Sequence, residues 1–158
     1  MTLNQLRNYF LYVVRHKWFV FRQGQMLGAP IWRLIIHDWS KFLPDEFIAY
    51  AKCFNSPQGE PRYLPTYEFA VAWNKHINRN DHHYQHWVLE WDSGKIEPLK
   101  IPIDCVLEMI ADWSGANLAR GGDGNPKTWL EKKVKDNSLS MNPETLQAVR
   151  DIIDLHWN

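Results

Sequence analysis

Cysteine is scarce in this chain. Cys53 and Cys105 are the only two in 158 residues, too few for a disulfide scaffold or a cysteine-rich zinc site. An excess of charge is missing too, since 18 Lys and Arg balance 18 Asp and Glu for a formal net charge of zero. Non-specific nucleic-acid binding normally needs a basic excess to displace counterions, so nucleic acid is disfavoured as a partner. No uninterrupted apolar run approaches the roughly 18 residues of a membrane span, so no membrane partner is expected. The opening MTLNQLRNYFLYVVRHKWFVF lacks the pattern of a secretory signal. Internal repeats, low-complexity tracts and composition shifts are absent as well. The expectation is a cytoplasmic protein with a single domain over residues 1–158.

What the chain does have is apolar and aromatic. Hydrophobic residues make up 45 % of it, enough for a core, and nine are Trp. So many aromatics promise a crowded core or aromatic walls around a ligand, and they leave room for a homodimer interface.

The pattern is mostly helical. Leu6, Phe10, Val13, Val14 and Trp18 recur at three- and four-residue steps, which predicts a helix from Leu3 to about Arg22. These residues form its expected buried stripe, and the helix should stop before Gly24 or Gly28. Pro30 suits the first turn of a helix through IWRLIIHDWSKF, and Pro44 with Asp45 and Glu46 starts another to about Phe54. Residues 55–65 read as loop by their Pro, Gly, Asn and Ser content. Helix returns near Thr66 and should break at Asn78-Arg79-Asn80-Asp81, poor helix interior and good cap material. Apolar–polar alternation around Asp92-Ser93-Gly94 predicts one small β-hairpin near 87–100. Pro102 opens a helix stopped at Gly121-Gly122, and Asn125-Pro126 and Asn142-Pro143 open two more, over about 126–136 and 143–157. The fold class is all-α, a helical bundle with one hairpin.

Six of the seven His stand at positions 16, 37, 76, 82, 83 and 86. The adjacent His37 and Asp38 can aim an imidazole and a carboxylate at one metal ion, or at two ions bridged by the carboxylate. Lys41 lies about one turn on, where its ammonium could sit beside the same site. Asp112 sits on an otherwise apolar helix with Glu108 one turn before it; such an acid is costly to bury unless paired with Arg15 or Arg33, or metal-bound. His16 alone is more often a surface or satisfied core residue. The break at 78–81 lets His76, His82 and His83 converge and leaves His86 peripheral. For Trp39, Trp73 and Trp113, core packing is favoured over stacking on a base.

The order His16, His37-Asp38-Trp39-Ser40-Lys41, His76, His82-His83, Asp112 resembles the HD-domain metal-dependent phosphohydrolases. It is similar to the ligand order H…HD-x-G-K…H…HH…D of the subgroup that cleaves cyclic dinucleotides, with Ser40 in place of the Gly and no GYP tripeptide. The stretches RHKWFVF, HDWSKF-x-P-x-EF, AW-x-x-H-x-x-RN-x-HH and EMIADW also look like those of an uncharacterised family of bacteria and their phages. The resemblance implies an HD-like helical domain with its metal-site core over 8–120, C-terminal helices over 126–157, and a place in a bacterial or phage-infected cytoplasm. By resemblance, His16, His37, Asp38, His76, His82, His83 and Asp112 hold one or two divalent transition metals (Mn, Fe, Co, Ni or Zn). Asp38 and Lys41 are the catalytic candidates, and Lys41, Arg79 and Arg15 the phosphate contacts.

The reading that follows is hydrolysis of a phosphate ester, in a nucleotide or a related small molecule, by metal-activated water. The competing readings are a binder that sequesters a metal and a nucleotide or docks on a host protein, and a purely structural metal site.

Overall fold

The computed structural model describes residues 2–54 and 66–157. Its first helix, α1 (Leu3–Leu27), is opened by a capping box between Thr2 and Gln5. It ends at Gly28, whose φ of 77° lies in the left-handed region that glycine adopts without strain. Next come α2 (Ile31–Ile36), a 3-10 turn (Trp39–Phe42), α3 (Pro44–Phe54) and α4 (Tyr67–Arg79). The Thr66 side chain caps α4 by accepting from the Phe69 N–H. A second 3-10 turn (Tyr84–Trp87) leads into β1 (Val88–Glu90) and β2 (Ile96–Pro98), an antiparallel pair with Leu89 opposite Glu97. The chain then forms α5 (Ile103–Ala119), α6 (Lys127–Lys135) and α7 (Pro143–His156), the last capped by Asn142. The all-α class and the hairpin are as expected. The loop expected over 55–65 lies outside the described residues.

Two clusters form the core. Val20, Met109, Ile110, Leu130, Val149 and Ile153 join α1, α5, α6 and α7, while Tyr9, Val13, Tyr50, Ala51 and Ala72 join α1, α3 and α4. On α1 the buried residue between Val13 and Val20 is His16, so this imidazole sits where the clusters meet. The helices α1 and α5 approach closely at Gly115, where a Cβ would lie 2.8 Å from the Val20 backbone nitrogen.

Two expectations are corrected here. The buried face of α1 is Tyr9, Val13, His16, Val20, Gly24 and Leu27, whereas Phe10, Val14 and Trp18 are 46 %, 45 % and 57 % exposed. A stripe picked for apolarity alone leaves out the polar His16 and the small Gly24 that face inward. One residue's shift turns a helix by about 100° and carries the large side chains outward. Second, no helix runs through IWRLIIHDWSKF. Helix α2 stops at Ile36, and Asp38 takes a left-handed conformation with φ 54° and ψ 27°. An aspartate tolerates this region better than most residues. The kink lets two neighbours in sequence, His37 and Asp38, face one point.

Candidate metal centre

All seven sequence-predicted ligands are buried and come together. The kink supplies His37 and Asp38, α1 supplies His16 and α5 supplies Asp112. His76 comes from the last turn of α4, which breaks after Arg79 as expected, and His82 and His83 follow the break. Two four-residue groups result, His16-His37-Asp38-Asp112 and Asp38-His76-His82-His83, each compact enough to hold a metal ion.

Asp38 belongs to both groups and divides its oxygens between them. Its Oδ2 lies 3.1 Å from His16 Nε2 and 3.3 Å from His37 Nε2. Its Oδ1 lies 3.2 Å from His76 Nε2 and 3.5 Å from His82 Nε2. Asp112 Oδ1 closes the first group at 3.0 Å from His16 Nε2, and His83 Nε2 lies 2.9 Å from His76 Nε2 in the second.

These spacings fit a cation. With metal bonds of about 2.1 Å, adjacent ligand atoms of a tetrahedron or octahedron lie about 3.0–3.4 Å apart. Buried Asp38 Oδ1 and His82 Nε2 have no hydrogen-bond partner among the described residues, a costly condition without a ligand. Burial, with His82 and His76 beside it, holds the His83 pKa well below the usual histidine value, so its ring is neutral, the form that binds metal. Burial alone would raise the Asp38 carboxyl, but His37, Lys41 and His76 outweigh it and keep it well below the usual range. A mixed imidazole and carboxylate donor set at these distances is chemically suited to a divalent metal.

Behind the rings stand carboxylates that fix them. Glu108 Oε1 lies 2.8 Å from His37 Nδ1 and 3.2 Å from His82 Nδ1, turning both Nε2 atoms toward Asp38. Its other oxygen accepts from the buried Arg33 Nε at 2.7 Å, and Arg33 also pairs with Asp81. Burial would raise Glu108, yet the hydrogen bonds from His37 and His82 hold it at about 2. Glu46 orients His76, with Oε2 3.0 Å from Nδ1, and accepts from the Ser40 hydroxyl at 2.8 Å. Such partners fix the tautomer and raise ligand basicity. Sequence reasoning took Glu46 only for a first-turn acid and left Glu108 unassigned. Glu108 lies one turn before Asp112, which is the signal available in sequence.

Lys41 pairs with Asp38 through Oδ2. Burial would lower its pKa, but Asp38 and Asp112 outweigh this and keep the ammonium protonated. The other predicted phosphate contacts lie elsewhere. Arg15 is exposed and rests over the Phe19 ring, while Arg79 pairs with Asp45 and with Glu46 at 2.7 Å. Asp112 pairs with neither Arg15 nor Arg33 among the described residues; its neighbours are His16 and His37. His86 is exposed, with Nδ1 3.0 Å from the Ile77 carbonyl.

A cavity of about 600 Å³ opens beside the cluster, with His16, Lys41, His83 and Asp112 at its wall. Trp73 and Trp113 pack against the core clusters, as expected, and also line the cavity, whereas Trp39, expected in the core, is 49 % exposed. Arg120, Trp129 and Lys133 line it too, and sequence reasoning missed all three. Positions 112 and 116 on α5 and 120 at its C-cap repeat every four residues, so extending the Asp112 face would have reached Arg120.

Fold and site together define a helical protein with a buried pair of His/Asp clusters that could hold metal, beside a ligand-sized cavity. The chain belongs to a family of unknown function, DUF5662, whose pattern matches residues 5–155. No curated protein and no solved structure matches it. No helix among the described residues is long and apolar enough to cross a membrane.

Proposed function

We propose that this protein is a metal-dependent phosphohydrolase that acts on a nucleotide or a related phosphate ester. The observation that carries the reading is the division of Asp38 between two ligand groups, with Lys41 on its Oδ2 side at the cavity wall. The likeness of the ligand order to HD-domain phosphohydrolases supports it.

His16, His37, Asp38 and Asp112 would hold one ion, and Asp38, His76, His82 and His83 a second, with Mn, Fe, Co, Ni or Zn all suited to this donor set. Bound divalent metal supplies Lewis acidity and brings the acidity of water into the neutral range. Asp38 ties the two groups into one unit, because moving its carboxylate disturbs both. Lys41 places a protonated ammonium where phosphoryl oxygens enter from the cavity, and there it stabilises their growing charge. Glu108 and Glu46 keep His37, His82 and His76 from swinging, which pre-organises the centre before substrate arrives.

The test is to load the protein with Mn²⁺ and screen nucleotides together with a chromogenic phosphodiester. Turnover that disappears in Asp38→Ala is expected. No turnover, or turnover unchanged in that variant, overturns the reading, and a nucleotide held tightly and recovered intact would mark a sequestering protein instead.

A further inference from the structure

The cavity is longer than the metal centre needs. Asp112 and Ala116 line it from successive turns of α5 and Arg120 from the cap just past its end, about 12 Å from Asp112 at the ~1.5 Å rise per residue of a helix. From α6, Trp129 and Lys133 face the same space. One end of the cavity therefore holds the ligand cluster and Lys41, and the other holds Arg120 and Lys133.

The charge of this lining is one-sided. Lys41, Arg120 and Lys133 are its cations, and among the described residues its only carboxylate is Asp112, itself a candidate ligand. The Arg120 guanidinium is exposed and has no hydrogen bond or ion pair to a described residue. Among the described residues the Lys133 ammonium has only the Trp129 ring, 5.9 Å from its centroid. Between the two ends stand Trp113 and Trp129, their centroids 4.6 Å apart at 48°. Unpaired cations beside an aromatic wall form a site for an anionic group attached to a planar ring.

We infer that Arg120 and Lys133 form a second anion subsite, so that the ligand is a nucleotide carrying a further phosphate beyond the one at the metal centre, with its base against Trp113 and Trp129. This rests on the proposed hydrolase reading for what happens at the metal end and not for the binding itself. The second phosphate can come from the phosphate chain or from the 3′ position of the ribose. Both present the same chemistry to Arg120 and Lys133.

The experiment is calorimetric titration of the metal-loaded chain at low temperature with AMP, ADP and adenosine 3′,5′-bisphosphate, each ligand being re-run by chromatography afterwards. We expect ADP or the bisphosphate to bind about tenfold or more tightly than AMP, and whichever does so identifies the source of the second phosphate. The double variant Arg120→Gln/Lys133→Gln should bring that ratio close to one while the melting temperature stays put, since among the described residues neither head group has a hydrogen bond or ion pair and Lys133 meets only the Trp129 ring. Equal binding of all three ligands by the natural chain overturns the inference, as does a preference that survives in the double variant. Selective binding with every ligand still intact after the same mixtures are incubated at room temperature keeps the second subsite and removes the hydrolase reading, so the two fail separately.

Discussion

Glu108 stands 2.8 Å behind His37, with its Oε1 against Nδ1, and this fixes which nitrogen of the ring faces the cluster. With Nδ1 held by this carboxylate, it is Nε2 that faces Asp38 and Asp112, the nitrogen a metal would take once its proton is displaced. The same oxygen does this for His82. One side chain on α5 thus sets a ligand in each of the two groups.

Glu108→Gln should therefore weaken metal binding without removing a ligand. The amide keeps the size but loses the charge that favours the Nδ1–H tautomer of both rings. An affinity loss of about 10- to 100-fold is expected, read by competition against a chromophoric chelator. An unchanged affinity would mean that the two imidazoles need no support from behind.

Stoichiometry separates the two groups. His83→Ala removes a ligand from one group and leaves His16, His37, Asp38 and Asp112 intact, whereas Asp38→Ala damages both. Elemental analysis after desalting should show metal retained in the first variant at a lower ratio than in the natural chain, and lost in the second. Chelation of the natural chain should also lower its melting point. Metal present at about 100 times its Kd adds about 2.7 kcal/mol, which for a chain of this size is a shift of roughly 5–10 °C.

Lys41→Met should retain metal and lose turnover. The ammonium is not a ligand, and its task under the proposed reading is to meet phosphoryl oxygens. A variant with full metal content and a kcat reduced about 100-fold is expected, while equal loss of metal and activity would make Lys41 a structural partner of Asp38 only.

Much of this site was legible before any coordinates, and the reason is local. Caps and breakers act over a few residues, so Asn80 ends α4 and Asn142 starts α7 where their side-chain chemistry says they should. The seven candidate ligands came from the likeness of their order to that of the HD-domain proteins, and the structure brings them together. What was not legible depends on distant contacts. The inward face of α1 is set by Gly24 against Leu34 and by Gly115 against Val20, which single-helix periodicity does not contain. The orienting role of Glu46 needs α3 laid against α4, and the distance of Arg15 from the cavity follows from the same rotation of α1.

The two close helix contacts differ in what they tolerate. At Gly115 an added methyl meets the Val20 backbone nitrogen at 2.8 Å and its Cα at 3.1 Å, so α1 must move away from α5. Gly115→Ala should cost about 1–3 kcal/mol and, by separating His16 from Asp112, weaken metal binding as well. At Gly24 the three atoms nearest the methyl all belong to the Leu34 side chain, whose rotamer can give, so Gly24→Ala should cost less and leave metal affinity near its natural value. Chemical denaturation and metal titration of both variants check the contrast.

Cysteine reactivity supplies a pH-dependent test of the core. Burial pushes the Cys105 thiol up to about 12, and Cys53 is raised by burial too. Only the thiolate attacks a disulfide reagent, so at pH 8 about one Cys105 in ten thousand is reactive, and each further pH unit raises that fraction about tenfold until pH nears 12. The native chain should show almost no thiol labelling within minutes at pH 8 and two equivalents after denaturation. The raised value also has a stability consequence. Above pH 9 the unfolded chain loses the Cys105 proton while the folded chain keeps it, so this group lowers stability progressively as pH rises from about 9 toward 12. Rapid labelling of Cys105 at pH 8 under native conditions would show that α5 opens readily to solvent, which is incompatible with a helix that holds Glu108 and Asp112 fixed.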